Sequence, residues 1–170
     1  LRALDQLPRP TIAAVHGACF AGGMGLVACA DIAIAADDAV FCLSEVRLGL
    51  VPATISPYVV RAMGARAARR YFLTAERFRA AEALRLGFVH EVVPAAEFDA
   101  AVARLVATLM ESATGAQARS KELVAQVADQ PISDALIGLT ARVIAEARAS
   151  EEAREGLAAF FEKCKPRWSR

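Results

Sequence analysis

The sequence predicts an α/β core that runs into an all-helical region, and two features of the pattern carry that prediction. Short apolar runs of strand length alternate with glycine turns and helical stretches as far as Pro94. From Ala95 onward the pattern is helical throughout, with no further strand signal. Strands mixed with helices first, and helices alone afterwards, mark an α/β core carrying a helical tail. Size agrees: a chain of 170 residues, 56% of them hydrophobic, buries roughly 70% of the surface its unfolded form exposes and needs no staples to fold.

Taken in order, Thr11 to Gly17 (TIAAVHG) is a short apolar run introduced by Pro8 and Pro10, of the length and β-branched content of a buried strand. The glycine cluster Ala21 to Gly25 (AGGMG) follows and leads into a helical LVACA, which Asp31 closes. Ile32 to Ala35 is a second buried strand, and Val40 to Leu43 a third that ends at Ser44 and Glu45. Gly49 and Pro52 mark a turn and a helix start. Helical pattern covers Ser56 to Phe72, broken at Gly64, and again Thr74 to Leu86, stopped by Gly87. Phe88 to Val93 reads as a strand ended by Pro94. Ala95 to Met110, Gly115 to Ala128, Ile132 to Ala149 and Glu151 to Cys164 read as helices. The last of these carries Leu157, Phe160 and Phe161 on one side, a face that the core or another subunit has to cover.

Composition narrows the function classes. Twenty basic against nineteen acidic residues give a net charge of +1, and aromatics are 6%. Neither supports nucleic-acid binding. No stretch approaches the roughly 18 apolar residues of a membrane span. Cys19, Cys29, Cys42 and Cys164 form no CxxC pair, and His16 and His90 stand alone, so neither a metal site nor a disulfide framework is expected. The expected setting is the reducing cytoplasm.

Two places could carry chemistry. A strand feeding a glycine turn that opens a helix, as at Gly22, Gly23 and Gly25, presents unpaired N–H groups to a phosphate or a developing oxyanion. A tight turn with close helix–strand packing would use the same glycines. The cluster matches neither GxGxxG nor a P-loop. Glu45 lies between two apolar runs, where it is either a carboxylate beside a pocket, suited to proton transfer, or a solvated strand-end glutamate paired with a cation such as Arg47. His16 reads as a satisfied core residue and His90 as a strand residue, and Ser44 has no visible triad partners.

The string PTIAAVHGACFAGGMGLVACADIAIAADDAVFCLSEVRLGLVP, continued by YFLTAERFRAAEALRLGFVHEVVP and REGLAAFFEKCKPRW, resembles the crotonase family of enoyl-CoA hydratases and isomerases. The resemblance covers the whole chain. The stretch SEVRLGLVPATISPYVVRAMGARAARRYFLTAERF is most similar to the members that hydrate methylglutaconyl-CoA and related branched thioesters. It implies a spiral of strand-strand-helix units with a C-terminal helical region. Residues 1–112 would then be the C-terminal part of the α/β core, and 113–170 a helical oligomerisation region of a homotrimer or homohexamer. Family chains usually begin with a further segment that supplies one of two oxyanion-hole N–H groups, and Leu1 falls after it.

The resemblance also implies roles. Gly22 matches the oxyanion donor of the glycine turn, which stabilises the enolate-like charge on a thioester oxygen. Donors of this kind contribute about 3 kcal/mol each to lowering the barrier. Glu45 matches the glutamate that exchanges a proton at the α-carbon. The other glutamate of the hydratases, which activates water, falls on Gly25, so the two-carboxylate arrangement is absent and an isomerase-like single glutamate remains. Ala53, Thr54, Ile55 and Ser56, in a segment bulkier than the usual glycine-rich form, add bulk beside Glu45 and shape the acyl pocket, and Gly23, Gly25 and Ala53 are the implied substrate-binding positions there. Arg47 is a candidate for a distal acyl carboxylate, or else a surface pair. Lys163 matches a lysine that reaches the coenzyme A phosphates of a neighbouring subunit. The implied activity is hydration of a branched or carboxylated 2-enoyl-CoA, with an isomerase and a non-catalytic crotonase-like subunit as alternatives. No cofactor is implied beyond the coenzyme A of the substrate, and no metal, nucleic acid or membrane.

Overall fold

The structure, a computed structural model, describes residues 1–169. They divide into two compact units: Leu1–Leu7 with Thr11–Arg104, and Pro8–Pro10 with the chain from Leu105 onward.

The first unit is a mixed α/β body. A short helix α1 (Arg2–Asp5) precedes strands β1 (Ile12–Val15) and β2 (Ala18–Phe20) and helix α2 (Gly22–Cys29). The pattern then repeats with β3 (Ile32–Ala36) and β4 (Val40–Cys42), a 3-10 turn at Glu45–Leu48, and helices α3 (Ser56–Met63) and α4 (Ala65–Thr74). After these come β5 (Phe78–Arg79), α5 (Ala80–Arg85), β6 (Glu91–Val93) and the start of α6 (Phe98–Met110). Among the described residues the strands form two three-stranded sheets, ordered β1-β3-β6 and β2-β4-β5. From β1 to β4 consecutive strands alternate between the two sheets, so the second strand-strand-helix unit stacks on the first. Gly17, at φ +65°, makes the bend between β1 and β2, and its carbonyl accepts from the Val40 amide at 2.8 Å.

Sequence explains the layering. β3 is the middle strand of its sheet and is buried from Ala33 to Ala36, which is why IAIAA is an unbroken apolar run. Asp31 does what its position suggests. Its carboxylate accepts from the Thr11 amide and hydroxyl, both at 2.8 Å, and its own amide donates to the Thr11 hydroxyl at 3.0 Å. β1 and β3 thus start in register, Ile12 opposite Ile32. Phe41, fully buried in β4, stacks on Phe78 at 5.5 Å and meets Phe88 edge-on at 5.8 Å, forming the aromatic centre of the core.

Three expectations need correction. The helix read over Thr74 to Leu86 is two elements. Ala75 turns left-handed (φ 48°) and ends α4, and Phe78–Arg79 pair antiparallel with β4 before α5 begins. Local composition favours helix there, but burying Phe78 against Phe41 and Tyr71 overrides it. The last strand is confined to Glu91–Val93. His16 is exposed rather than buried, with its ring edge-on to Phe98 at 6.0 Å. His90 continues the sheet: its amide donates to the Ala33 carbonyl at 2.7 Å, and its Nδ1 accepts from the Ala33 amide at 2.9 Å.

The second unit holds the end of α6 and α7 (Thr114–Val127), α8 (Asp134–Arg148) and α9 (Glu151–Phe161). Ser133 and Ser150 cap α8 and α9 through their side chains. α7 has no cap of its own. Glu152 of α9 supplies it, accepting from the Gly115 and Ala116 amides at 3.0 Å each. Phe160 and Phe161 are 74% and 76% exposed.

Candidate active site

Two parallel strands bring the two candidate groups together. β2 and β4 pair in register, with Phe20 opposite Cys42. Both chains therefore leave the sheet at the same end, β2 into Ala21 and Gly22, β4 into Ser44 and Glu45. The Ala21 amide donates to the Cys42 carbonyl at 2.8 Å, which fixes one exit against the other.

The glycine turn is shaped by Ala21. Its φ of 47° and ψ of −118° lie where an L-residue is strained. That conformation swings the chain from strand to helix in one residue, so that Gly22 is the first residue of α2. The Met24 amide already returns to the Ala21 carbonyl at 3.0 Å. The amides of the first helical turn ahead of it have no intrahelical acceptor, and the aligned peptides behind them add positive potential. Gly22 is exposed.

The three glycines divide by environment. A Cβ at Gly22 would meet nothing within 4 Å, and one at Gly23 would meet only the Cys19 sulfur, at 3.7 Å. Packing therefore does not require glycine at either position, and the backbone there is open to a ligand. Gly25 is different. It is buried, and a Cβ there would lie 2.2 Å from Ile55 Cγ2. The sequence alone does not separate these cases, because Ile55 is remote along the chain.

Glu45 opens the 3-10 turn and is half-buried. Its Oε2 is buried and accepts no hydrogen bond from the described residues. A carboxylate oxygen withdrawn from water without a donor costs about 1–3 kcal/mol, and such groups in folded proteins call for a functional account. The turn is closed by Leu50, whose amide donates to the Glu45 carbonyl at 3.1 Å, and by Gly49 in the left-handed region at φ 70°.

Arg47 is tied down. Its Nη2 donates to the Ala75 carbonyl at 2.8 Å, beside the Cys42 thiol, which donates to the same oxygen at 3.3 Å. It anchors the turn of Glu45 to the end of α4, a link that the sequence does not reveal. Ala53 is exposed, and its carbonyl accepts from the Ser56 hydroxyl at 2.9 Å, holding the start of α3. Burial raises the Cys19 thiol to about 11, so this cysteine under the glycine turn stays protonated. Lys163 belongs to the helical unit. It is exposed, just past α9, in the left-handed region at φ 56°.

The profile of the enoyl-CoA hydratase/isomerase family matches residues 1–170. The chain belongs to this family, the crotonases. Solved structures agree. An enoyl-CoA hydratase from Shewanella pealeana is 50% identical, with a TM-score of 0.93 over 98% of this chain and 62% of its own. Pseudomonas aeruginosa AtuE is 40% identical, with a TM-score of 0.93 over 99% of this chain and 66% of its own. Among curated relatives, the carnitinyl-CoA dehydratase of Escherichia coli is 34% identical over 99% of this chain and 66% of its own length. This crotonase chain thus spans a little under two thirds of the relatives it matches. Among its described residues no helix is long and apolar enough to cross a membrane, and no cluster of His, Cys, Asp and Glu could hold a metal ion.

Proposed function

We propose that this crotonase hydrates a branched or carboxylated 2-enoyl-CoA, of the methylglutaconyl-CoA kind, with Glu45 carrying the proton and Gly22 donating to the thioester oxygen. The observation behind this reading is the unpartnered, buried Glu45 Oε2 at the end of the sheet where α2 presents its first amides. Glu45 takes a proton from water as the water oxygen bonds to the β-carbon. The π-electrons move onto the thioester oxygen, where the Gly22 N–H is already aimed, and Glu45 then returns the proton to the α-carbon. Preorganised donors are worth most where charge develops, so the first turn of α2 acts chiefly on the enolate-like state.

A second reading is favoured by Gly25, which leaves Glu45 without a second carboxylate from α2. A single glutamate suffices to move a proton from the α- to the γ-carbon, which is double-bond isomerisation. Around the site, we assign residues 113–170 to subunit assembly, as a homotrimer or homohexamer, because Phe160 and Phe161 are too exposed for a stable monomer surface. Lys163 would then meet the coenzyme A phosphates of a neighbour, and the free thiols fit a cytoplasmic setting.

The test is incubation with 3-methylglutaconyl-CoA and with a straight-chain 2-enoyl-CoA, read by product mass and, for isomers of equal mass, by chromatographic separation. Hydration adds one water and isomerisation leaves the mass unchanged. Glu45→Gln should lower the rate by at least about 100-fold. Full activity in that variant would remove Glu45 from the mechanism. Absence of turnover in the wild-type chain, with acyl-CoA still bound, would support the non-catalytic subunit instead.

A further inference from the structure

We propose that Gly25 and Ile55 form one coupled pair, and that Ile55 is the specificity-determining residue that keeps α2 from giving this site a second carboxylate. The functional half of the inference rests on the reading of Glu45 given above; the steric half does not.

Gly25 sits inside α2, one turn on from Gly22, and its backbone is outside the left-handed region that would call for glycine. Glycine within a helix is less favourable than alanine, so its presence needs a reason. Contacts supply one. A Cβ at position 25 would lie 2.2 Å from Ile55 Cγ2 and 2.8 Å from Ile55 Cβ, both far inside van der Waals contact. Ile55 cannot easily withdraw. It is 6% exposed, packed in the main core cluster, and stiff at χ1 because it is β-branched. Its position just before α3 ends the loop that leaves Glu45 through Leu50. The bulk at position 55 and the missing side chain at position 25 are therefore a single exchange made across two elements. While Ile55 holds its place, a side chain at position 25 has to displace it, so α2 as packed gives Glu45 no carboxylate partner. Substrates are then limited to those that need no carboxylate from α2, such as thioesters that carry a polar group of their own to hold the water.

The pair makes separate predictions for stability and for activity. In urea unfolding of the full chain, Gly25→Ala should lower the midpoint whereas Gly22→Ala should not, since the latter Cβ meets open space. Ile55→Gly should also lower it by opening a cavity. In Gly25→Ala/Ile55→Gly the added methyl should cost nothing or restore part of the loss, giving a midpoint at or above that of Ile55→Gly alone. Alanine at 55 would not serve, because it keeps the Cβ that lies 2.8 Å away. Additive losses in the double variant would overturn the pair. Should the position-55 variants fail to fold, equal midpoints for Gly25→Ala and Gly22→Ala would overturn it instead. For activity, Gly25→Glu/Ile55→Gly should hydrate crotonyl-CoA, a straight-chain substrate, at least tenfold faster than Gly25→Glu alone. No gain in a folded double variant would refute Ile55 as the specificity residue. If wild type and every variant leave both enoyl thioesters untouched while the stability coupling holds, the functional reading of Glu45 fails, and with it the role of Ile55 in specificity, whereas the steric pairing stands.

Discussion

Replacing Ala21 by glycine should make the protein more stable and less active, because the turn stores strain where the proposed mechanism holds the thioester oxygen. Ala21 has φ 47° and ψ −118°, a region costly for a residue with a Cβ and open to glycine. It is held there from both sides, by its amide on the Cys42 carbonyl at 2.8 Å and its carbonyl under the Met24 amide at 3.0 Å. Strain of this kind is worth about 1–3 kcal/mol. Against it, glycine adds about 0.4–1 kcal/mol of unfolded-state entropy that folding must overcome. The net expectation is stabilisation by about 1 kcal/mol, or about 2–4 °C in melting temperature for a chain of this size. Activity should move the other way. In the proposed mechanism the strained residue fixes the peptide plane that aims the Gly22 N–H, and a glycine there lets the plane swing. Turnover should fall about tenfold with a smaller change in KM, since the donor matters most to the enolate-like state. Calorimetry and steady-state hydration of an enoyl-CoA by the same preparation give both numbers. A lower melting temperature for Ala21→Gly would refute the strain argument, and a higher one with unchanged turnover would refute the claim that the strain aims the donor.

Further outcomes follow from contacts outside the site. Glu152→Ala removes both acceptors of the Gly115 and Ala116 amides, the start of a helix with no cap of its own. The expected loss is about 1–2 kcal/mol, read by urea unfolding, and Glu152→Gln should recover part of it because an amide oxygen can still accept. Acid should act on Glu82. The Arg85 guanidinium, at 2.6 Å through both Nε and Nη2, and then the Tyr71 hydroxyl at 2.9 Å hold its carboxyl down at about 2 against an ordinary 4.5. A carboxyl depressed by folding stabilises above its unfolded value and loses that contribution as the pH falls through its folded one. The difference in melting temperature between wild type and Glu82→Gln should therefore be full above pH 4.5 and shrink toward pH 2. A difference that stays constant across that window would show that the Arg85 and Tyr71 contacts do not act through the charge of Glu82.

Much of this protein is written in local pattern. The apolar runs at residues 12–15, 32–36 and 40–42 are strands, the helices after Pro94 are helices, and Asp31 closes α2 and anchors β3. Each follows from nearest-neighbour chemistry: β-branched and small apolar residues in runs of strand length, helical periodicity, and a short carboxylate at a helix end. The family is likewise legible, because the ordered motifs around Gly22 and Glu45 are contiguous in the chain. Phe78 shows where such reading stops. Its segment has helical composition, and only Phe41, far upstream, makes it a strand.

The same limit applies within the site. By itself the sequence determined that Gly22 lies in a strand-to-helix turn and that Glu45 follows a buried strand. Tertiary structure alone decided that both exits lie at one end of a parallel pair, that Arg47 is committed to the Ala75 carbonyl, and that Gly25 makes room for Ile55 while Gly22 makes room for nothing. The physical reason is range. Propensity and periodicity act over a few residues, whereas steric exclusion between α2 and the residue before α3, and the burial of one carboxylate oxygen, arise only when segments remote along the chain close on each other.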